Sequence, residues 1–325
     1  MSKKAPRLFR ALPVLLTGGV FLLLAVYAPE NAKAAGDAIV LCGKVIVPSL
    51  LPFFIVSGLL SALGLPRLLA KPAAPVMKKL FSLSGAGAAV FVMGLTGGYP
   101  IGAAAAADMV RNGDLKKDAG EKLLRFCNNS GPAFILGAAG GIFGSFKAGL
   151  LLYLSHALAA VLTGSLVCRR GKTVSCASAP VNVKSPSFFE AFPAAVEQGV
   201  KSTLIIGGYV IFFSVLRAML ESVGLFSAMM GALLRLTPLS PGQARALLTG
   251  LMEIGGGIGA MAGQRCTAGN LALCAFLLGW GGLSVQFQTR AVIAGSGLDG
   301  KGIMACKLLH GVLSALLAGI FALLI

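Results

Sequence analysis

Charge is what this sequence has least of. Only 12% of its 325 residues are Asp, Glu, Lys or Arg, about half the share in an ordinary soluble chain. Acidic residues are scarcest, 11 against 28 basic ones. So little charge cannot cover a soluble surface of this length. The sequence also has no Gly-x-Ser-x-Gly elbow, no Cys-x-x-Cys pair and no cluster of His with Asp. An intramembrane protease or a metal enzyme therefore finds no support. The net charge of +17 would suit a nucleic-acid binder, but no basic stripe is interleaved with aromatics, so nucleic acid is not expected as a partner. What is abundant is apolar: 56% hydrophobic residues and 44 glycines, with a mean hydropathy of +0.86. Such a chain belongs in a bilayer.

Apolar windows near the ~20 residues that a helix needs to cross the hydrocarbon fall at 12–28, 39–63, 123–144, 150–168, 203–223, 271–292 and 303–325. Two further windows, 83–107 and 247–263, are crowded with glycine, and the first also holds Pro100. Interior glycine costs a helix about 1 kcal/mol and proline about 3. Broken backbone at membrane depth is tolerated only where protein or a cavity surrounds it.

The placement of Lys and Arg decides how these two windows run, because short cytoplasmic loops collect positive charge. Window 83–107 is basic on both flanks, with Arg67, Lys71, Lys78 and Lys79 before it and Arg111, Lys116, Lys117, Lys122 and Arg125 after it. A crossing helix should separate a basic side from a poorer one. The better expectation is a re-entrant hairpin from the cytoplasmic side. Window 247–263 then dips from the outer side, and Arg290, Lys301 and Lys307 return to the inside. Most of the 28 basic residues fall inside on this topology.

A repeat follows. Residues 45–65 and 205–225 both end in a small-residue turn with Gly-Leu. Each is followed by a glycine-rich hairpin, GLTGGYPIGA from Gly94 and GLMEIGGGIGA from Gly250, and then by a helix with a polar break, RFCNNSGPAF from Arg125 and GWGGLSVQFQ from Gly279. An odd number of crossings lies between the copies, so they are expected to be inverted, which is the architecture of secondary transporters. The fold class expected is all-α: a polytopic helical membrane protein with two inverted repeats, each with a re-entrant hairpin and an interrupted helix. The divisions are 1–36, a basic N-terminal segment with the first transmembrane helix; 37–184, the first repeat; and 185–325, the second. The basic start, apolar run and Ala32-Lys33-Ala34 resemble a signal peptide. The run from Ala11 to Ala28 is longer than such peptides use, so a retained helix is expected.

The candidate site lies where the interruptions meet. Glu253 is the acidic residue inside a hairpin window, and a carboxylate at bilayer depth is a functional hypothesis by default. It would bind a coupling cation or proton or accept hydrogen bonds from a solute; the alternative is that it satisfies loose N–H groups of Gly255, Gly256 and Gly257. Asn128, Asn129 and Ser130 precede Gly131-Pro132, where proline frees a carbonyl one turn earlier. Ser284, Gln286 and Gln288 match them in the second half. These amides and hydroxyls suit a small polar solute, unless they only join helices. Thr96, Gly97, Gly98 and Tyr99 form the turn before Pro100, where a restarting helix presents free N–H groups to an anion. No resident cofactor or metal is expected, and any coupling cation or proton belongs near Glu253. Other features carry less. The seven cysteines lie mostly in or beside spans as small apolar residues, His156 and His310 stand alone on apolar helices, and Arg217 with Glu221 is a helix-face ion pair.

The segments VPSLLPFFIVSGLLSALG, GLTGGYPIGA, RFCNNSGPAF, GLMEIGGGIGA and GGLSVQFQ resemble the sporulation integral membrane protein YlbJ family, whose members carry nucleoside-recognition Gate domains. The resemblance runs from about Ile39 to the C-terminus. It implies a polytopic bacterial membrane protein with hairpins like those of concentrative nucleoside transporters, multi-pass in the inner membrane. In a spore former it implies the outer forespore membrane and movement of dipicolinic acid. The residues themselves require only a small polar or anionic organic solute and a lipid bilayer as partners, and they permit a homo-oligomer. Two readings stand beside a transporter of that kind: a membrane scaffold or assembly subunit that transports nothing, and a nucleoside permease.

Overall fold

The computed structural model describes residues 7–168 and 186–323, and every regular element in it is helical. Helix α1 (Arg7–Val26) meets α2 (Ala28–Leu41) at a bend of 94°. Helix α2 passes through a π-helical stretch, Cys42–Ile46, into α3 (Val47–Ala62). Then come α4 (Leu65–Phe81), α5 (Ala86–Gly97), α6 (Ile101–Arg111) and α7 (Lys117–Leu124). A non-helical break separates α7 from a π-helical run, Ala133–Ala139, and α8 (Phe146–Cys168) closes this half. The second half repeats the order with α9 (Phe188–Ser222), α10 (Leu225–Leu236), α11 (Pro241–Met252), α12 (Ile254–Gly259), α13 (Ala268–Trp280), α14 (Gly282–Ile293) and α15 (Ile303–Ala322).

The parallels extend to the joints. Helix α3 turns into α4 at Gly64 (φ +98°), and α9 turns into α10 at Gly224 (φ +76°). Both need the left-handed region that side chains disfavour. Both glycine-rich windows fold back as helical hairpins, α5 with α6 and α11 with α12. Their backbones touch. A Cβ on Gly257 would stand 2.3 Å from the Cα of Gly250, and one on Gly102 would stand 2.9 Å from the Cα of Gly94. Only glycine permits arms this close, which explains the sequence bias that marked these windows.

Among the described residues four helices are long and apolar enough to span a membrane: Phe146–Cys168, Phe188–Ser222, the kinked Ala268–Ile293 and Ile303–Ala322; the bent α1–α2 pair would make a fifth. This departs from the seven full spans expected. Window 123–144 is cut by the break after α7, and window 39–63 is interrupted by π-helical backbone. The basic stretch after Gly64, expected as a cytoplasmic loop, is a helix, and so is the stretch after Gly224. Helix α4 exposes Lys71, Lys78 and Lys79 and buries Met77 and Phe81. Phe81 stacks on Phe126 at 4.5 Å and lies 5.8 Å from Phe91, tying α4 to the first hairpin and the first break. Helices α8, α13 and α15 pack along one another, and α3 runs along α9. The hairpin tips sit between these groups.

Candidate functional site

Each hairpin tip is seated on a helix break. A Cβ on Gly98 would lie 2.9 Å from the backbone nitrogen of Gly131, and one on Gly282 would lie 3.1 Å from the carbonyl oxygens of Gly250 and Met252. Tyr99 then crosses between the halves: its hydroxyl donates to the Leu278 carbonyl at 2.9 Å, and Ser130 Oγ reaches the same oxygen at 3.5 Å. Asn128 makes a second crossing, with Nδ2 donating to Thr289 Oγ1 at 2.7 Å. Both halves therefore close on one point.

At that point lies a cavity of about 60 Å³, bounded on one side by Gly97, Gly98 and Tyr99 of the first tip, Ser130 and Gly131 of the first break, Glu253 and Gly255 of the second tip and Gln288 of α14, and on the rest by apolar side chains such as Leu50, Phe134 and Val210. The space holds a few waters at ~15 Å³ each. Glu253 is only 4% exposed. Its extended backbone ends α11, and its carboxylate caps α12, accepting the N–H groups of Gly255 at 2.7 Å and Gly256 at 2.5 Å. A carboxylate at a helix start meets both free donors and the positive end of the dipole.

On the other side of Glu253 opens a vestibule of about 240 Å³, whose walls include Asp37, Arg217, Arg245, Thr249 and Gly256. Arg217 and Arg245 both reach Glu221, at 2.7 and 3.1 Å. The expected pair of Arg217 with Glu221 is thus present, with a second arginine added. At the opposite end the two halves are tied together. Arg111 donates to the carbonyls of Val292 and Ala294 at 2.9 and 2.8 Å, Lys117 pairs with Asp299 at 3.4 Å, and Glu121 accepts the N–H groups of Asp299 and Gly300.

Of the expected site residues, Gly97, Gly98, Tyr99, Ser130, Glu253, Gly255 and Gln288 bound the inner cavity, and Gly256 borders the vestibule. The others lie outside both. Thr96 is exposed, and its hydroxyl donates to the Val92 carbonyl of the preceding turn. Asn129 Nδ2 donates to the Phe126 carbonyl, and Gln286 Nε2 to that of Trp280. Ser284 is fully buried on α14, and its hydroxyl has no partner among the described residues.

Three residues acquire a place that the sequence reading did not give them. Lys307, taken there as part of the inside basic flank, is 1% exposed within α15. It lies there because α15 begins at Ile303, so four residues of helix already precede it. Its Nζ donates to the Asn128 carbonyl at 2.8 Å, approaches His310 Nδ1 at 3.2 Å and sits 4.8 Å over the Tyr99 ring. His156 and His310, taken as solitary, have ring centres 4.4 Å apart. The backbone N–H of Ser130 donates to His156 Nε2 at 3.0 Å, and His310 Nε2 meets the His156 carbonyl at 3.0 Å. A lysine inside an apolar window was the available signal, since an intramembrane charge marks function by default. Among the described residues no group of three or more His, Cys, Asp or Glu could hold a metal ion.

The Gate family, described as nucleoside recognition, matches residues 44–179. The sporulation integral membrane protein YlbJ of Bacillus subtilis is 30% identical over 329 residues, covering 93% of this chain and 81% of that protein. No solved structure matches the chain.

Proposed function

Because this chain belongs to the family of the sporulation integral membrane protein YlbJ, we propose that it is a transporter that carries a small polar or anionic organic solute across the membrane by alternating access. The observation that carries this reading is the meeting of two hairpin tips and two helix breaks on one cavity. Transporters place their sites at such interruptions, between halves that rock about a fixed centre. On this reading the halves are inverted repeats.

The two ends of the molecule are in different conditions, as alternating access requires. The Arg111, Glu121 and Asp299 contacts hold the halves together at one end, while the vestibule leaves the other end open as far as Glu253. Arg217 and Arg245 bring two guanidinium groups to the open mouth, where they are held by Glu221 beside Asp37, and an anionic solute would bind by competing for them. Pyridine-2,6-dicarboxylate, a compact aromatic dianion, is the first solute to test, because the relative is a sporulation protein.

The test is uptake by the purified protein in liposomes, with pyridine dicarboxylates, aliphatic dicarboxylates and uridine compared. Saturable uptake of a carboxylate that uridine does not inhibit supports the proposal. Uptake of uridine instead makes the protein a nucleoside permease, the reading that the Gate description favours. No uptake of any probe makes it a scaffold or assembly subunit.

A further inference from the structure

The buried cluster behind the cavity wall holds a lysine that faces no carboxylate among the described residues. Helix α8 has 23 residues, about 35 Å at 1.5 Å per residue, and His156 stands near its middle. The cluster therefore lies near the bilayer midplane. Lys307 makes no ion pair among the described residues. What faces it is His310 and Cys306 from its own helix, His156 from α8, Tyr99 from the first hairpin tip and Cys127 from the first break, with Arg125 beside Cys306. Helix α13 presents no titratable group to it. None of these is a carboxylate.

The hydrogen bonds fix which atoms hold protons. The Ser130 backbone can only donate, so His156 Nε2 is an acceptor and the ring proton sits on Nδ1, which is buried without a partner. The His156 carbonyl can only accept, so His310 carries its proton on Nε2 and offers Nδ1 to Lys307. A neutral Lys307 amine satisfies both of its acceptors, and the pair has room for one excess proton, held on Lys307 Nζ or passed along the 3.2 Å contact to His310 Nδ1. A second on His310, 3.2 Å away, would set two positive charges together where little water screens them. The pair is also coupled to the solute cavity at two places, since Tyr99 and Ser130 each bound the cavity and touch the cluster.

We propose that Lys307 and His310 form the proton-carrying site that couples solute movement to the proton gradient. One proton is bound to the pair while the anionic solute occupies the cavity, so the positive charge offsets part of the solute's negative charge. It is released to the opposite side as the solute leaves, restoring the amine and the neutral imidazole. This inference rests on the transporter reading and places the coupling group in the cluster behind Tyr99 instead of at Glu253, whose oxygens accept the N–H groups of Gly255 and Gly256.

The test uses the full-length protein in liposomes with labelled pyridine-2,6-dicarboxylate, measured two ways. One is net accumulation driven by a pH gradient; the other is exchange of labelled for unlabelled solute at equal pH, which needs no net proton movement. Lys307→Met removes the proton carrier without adding bulk. His310→Gln keeps an acceptor and a donor but cannot take up a proton. In both variants gradient-driven accumulation is expected to fall at least tenfold further than exchange does. Accumulation like wild type in either variant overturns the proposal, as does loss of exchange and accumulation in equal proportion, which marks a structural role. Wild-type uptake that ignores the gradient overturns this inference alone, whereas absence of wild-type uptake overturns the transporter reading as well.

Discussion

Glu253 commits both carboxylate oxygens to the backbone it terminates, so its replacement acts first on the shape of the second hairpin tip. Glutamine has one acceptor oxygen, and its amino group would face the other N–H. A buried donor left without an acceptor costs about 2 kcal/mol, roughly thirtyfold in a two-state population. Glu253→Gln is therefore expected to lower uptake by about that factor while membrane abundance stays unchanged. Normal uptake at normal abundance would remove Glu253 from the site. This residue was legible in the sequence because a lone acid among glycines stands out. Lys307 was not, because it follows Lys301 closely and reads as loop charge; only the start of α15 at Ile303 puts it inside. The two histidines were hidden for a different reason. They are 154 positions apart, and nothing in a single sequence brings α8 against α15.

At the scale of elements, the hairpins were visible because close backbone approach has only one residue to serve it. The contrast among glycines makes this testable. A Cβ on Gly94 would stand 1.6 Å from the Cys127 carbonyl oxygen, which is backbone and cannot swing away, whereas Gly137 and Gly141 have nothing within 4 Å. Gly94→Ala is expected to destabilise by ~3 kcal/mol or more and to sharply reduce folded protein after detergent extraction. Gly137→Ala and Gly141→Ala should extract like wild type, and thermal unfolding followed by gel filtration would compare all three. Equal behaviour of the three would mean that the first hairpin is not packed against its break. The span count was less legible. Hydropathy sees Asn128 to Ser130 as a polar notch in an apolar window, but it does not show that the helix stops there and resumes as a π-helical run. Likewise, α4 read as a basic loop because its apolar residues, Met77 and Phe81 among them, are spaced for a helix lying with one face buried.

At the scale of the whole molecule, the excess of basic over acidic residues leaves its use open, and the vestibule suggests one. Glu221 bridges Arg217 and Arg245 at its wall, so an internal carboxylate already occupies the position that a solute carboxylate would seek. Removing the competitor and removing the cations should therefore have opposite signs. Glu221→Gln is expected to raise the uptake of a dicarboxylate at low concentration severalfold by releasing both guanidinium groups. Arg217→Gln with Arg245→Gln is expected to lower it by about tenfold, at the low end of what electrostatic steering supplies. The groups are partly exposed, so both effects should shrink as salt shortens the Debye length from ~10 Å at 0.1 M toward ~3 Å at 1 M. Uridine, being neutral, should respond to none of these changes. If the arginine variants alter uridine and dicarboxylate uptake alike, the vestibule contributes shape and not charge, and any selection for an anion falls to groups deeper in the protein, such as Lys307 over the Tyr99 ring.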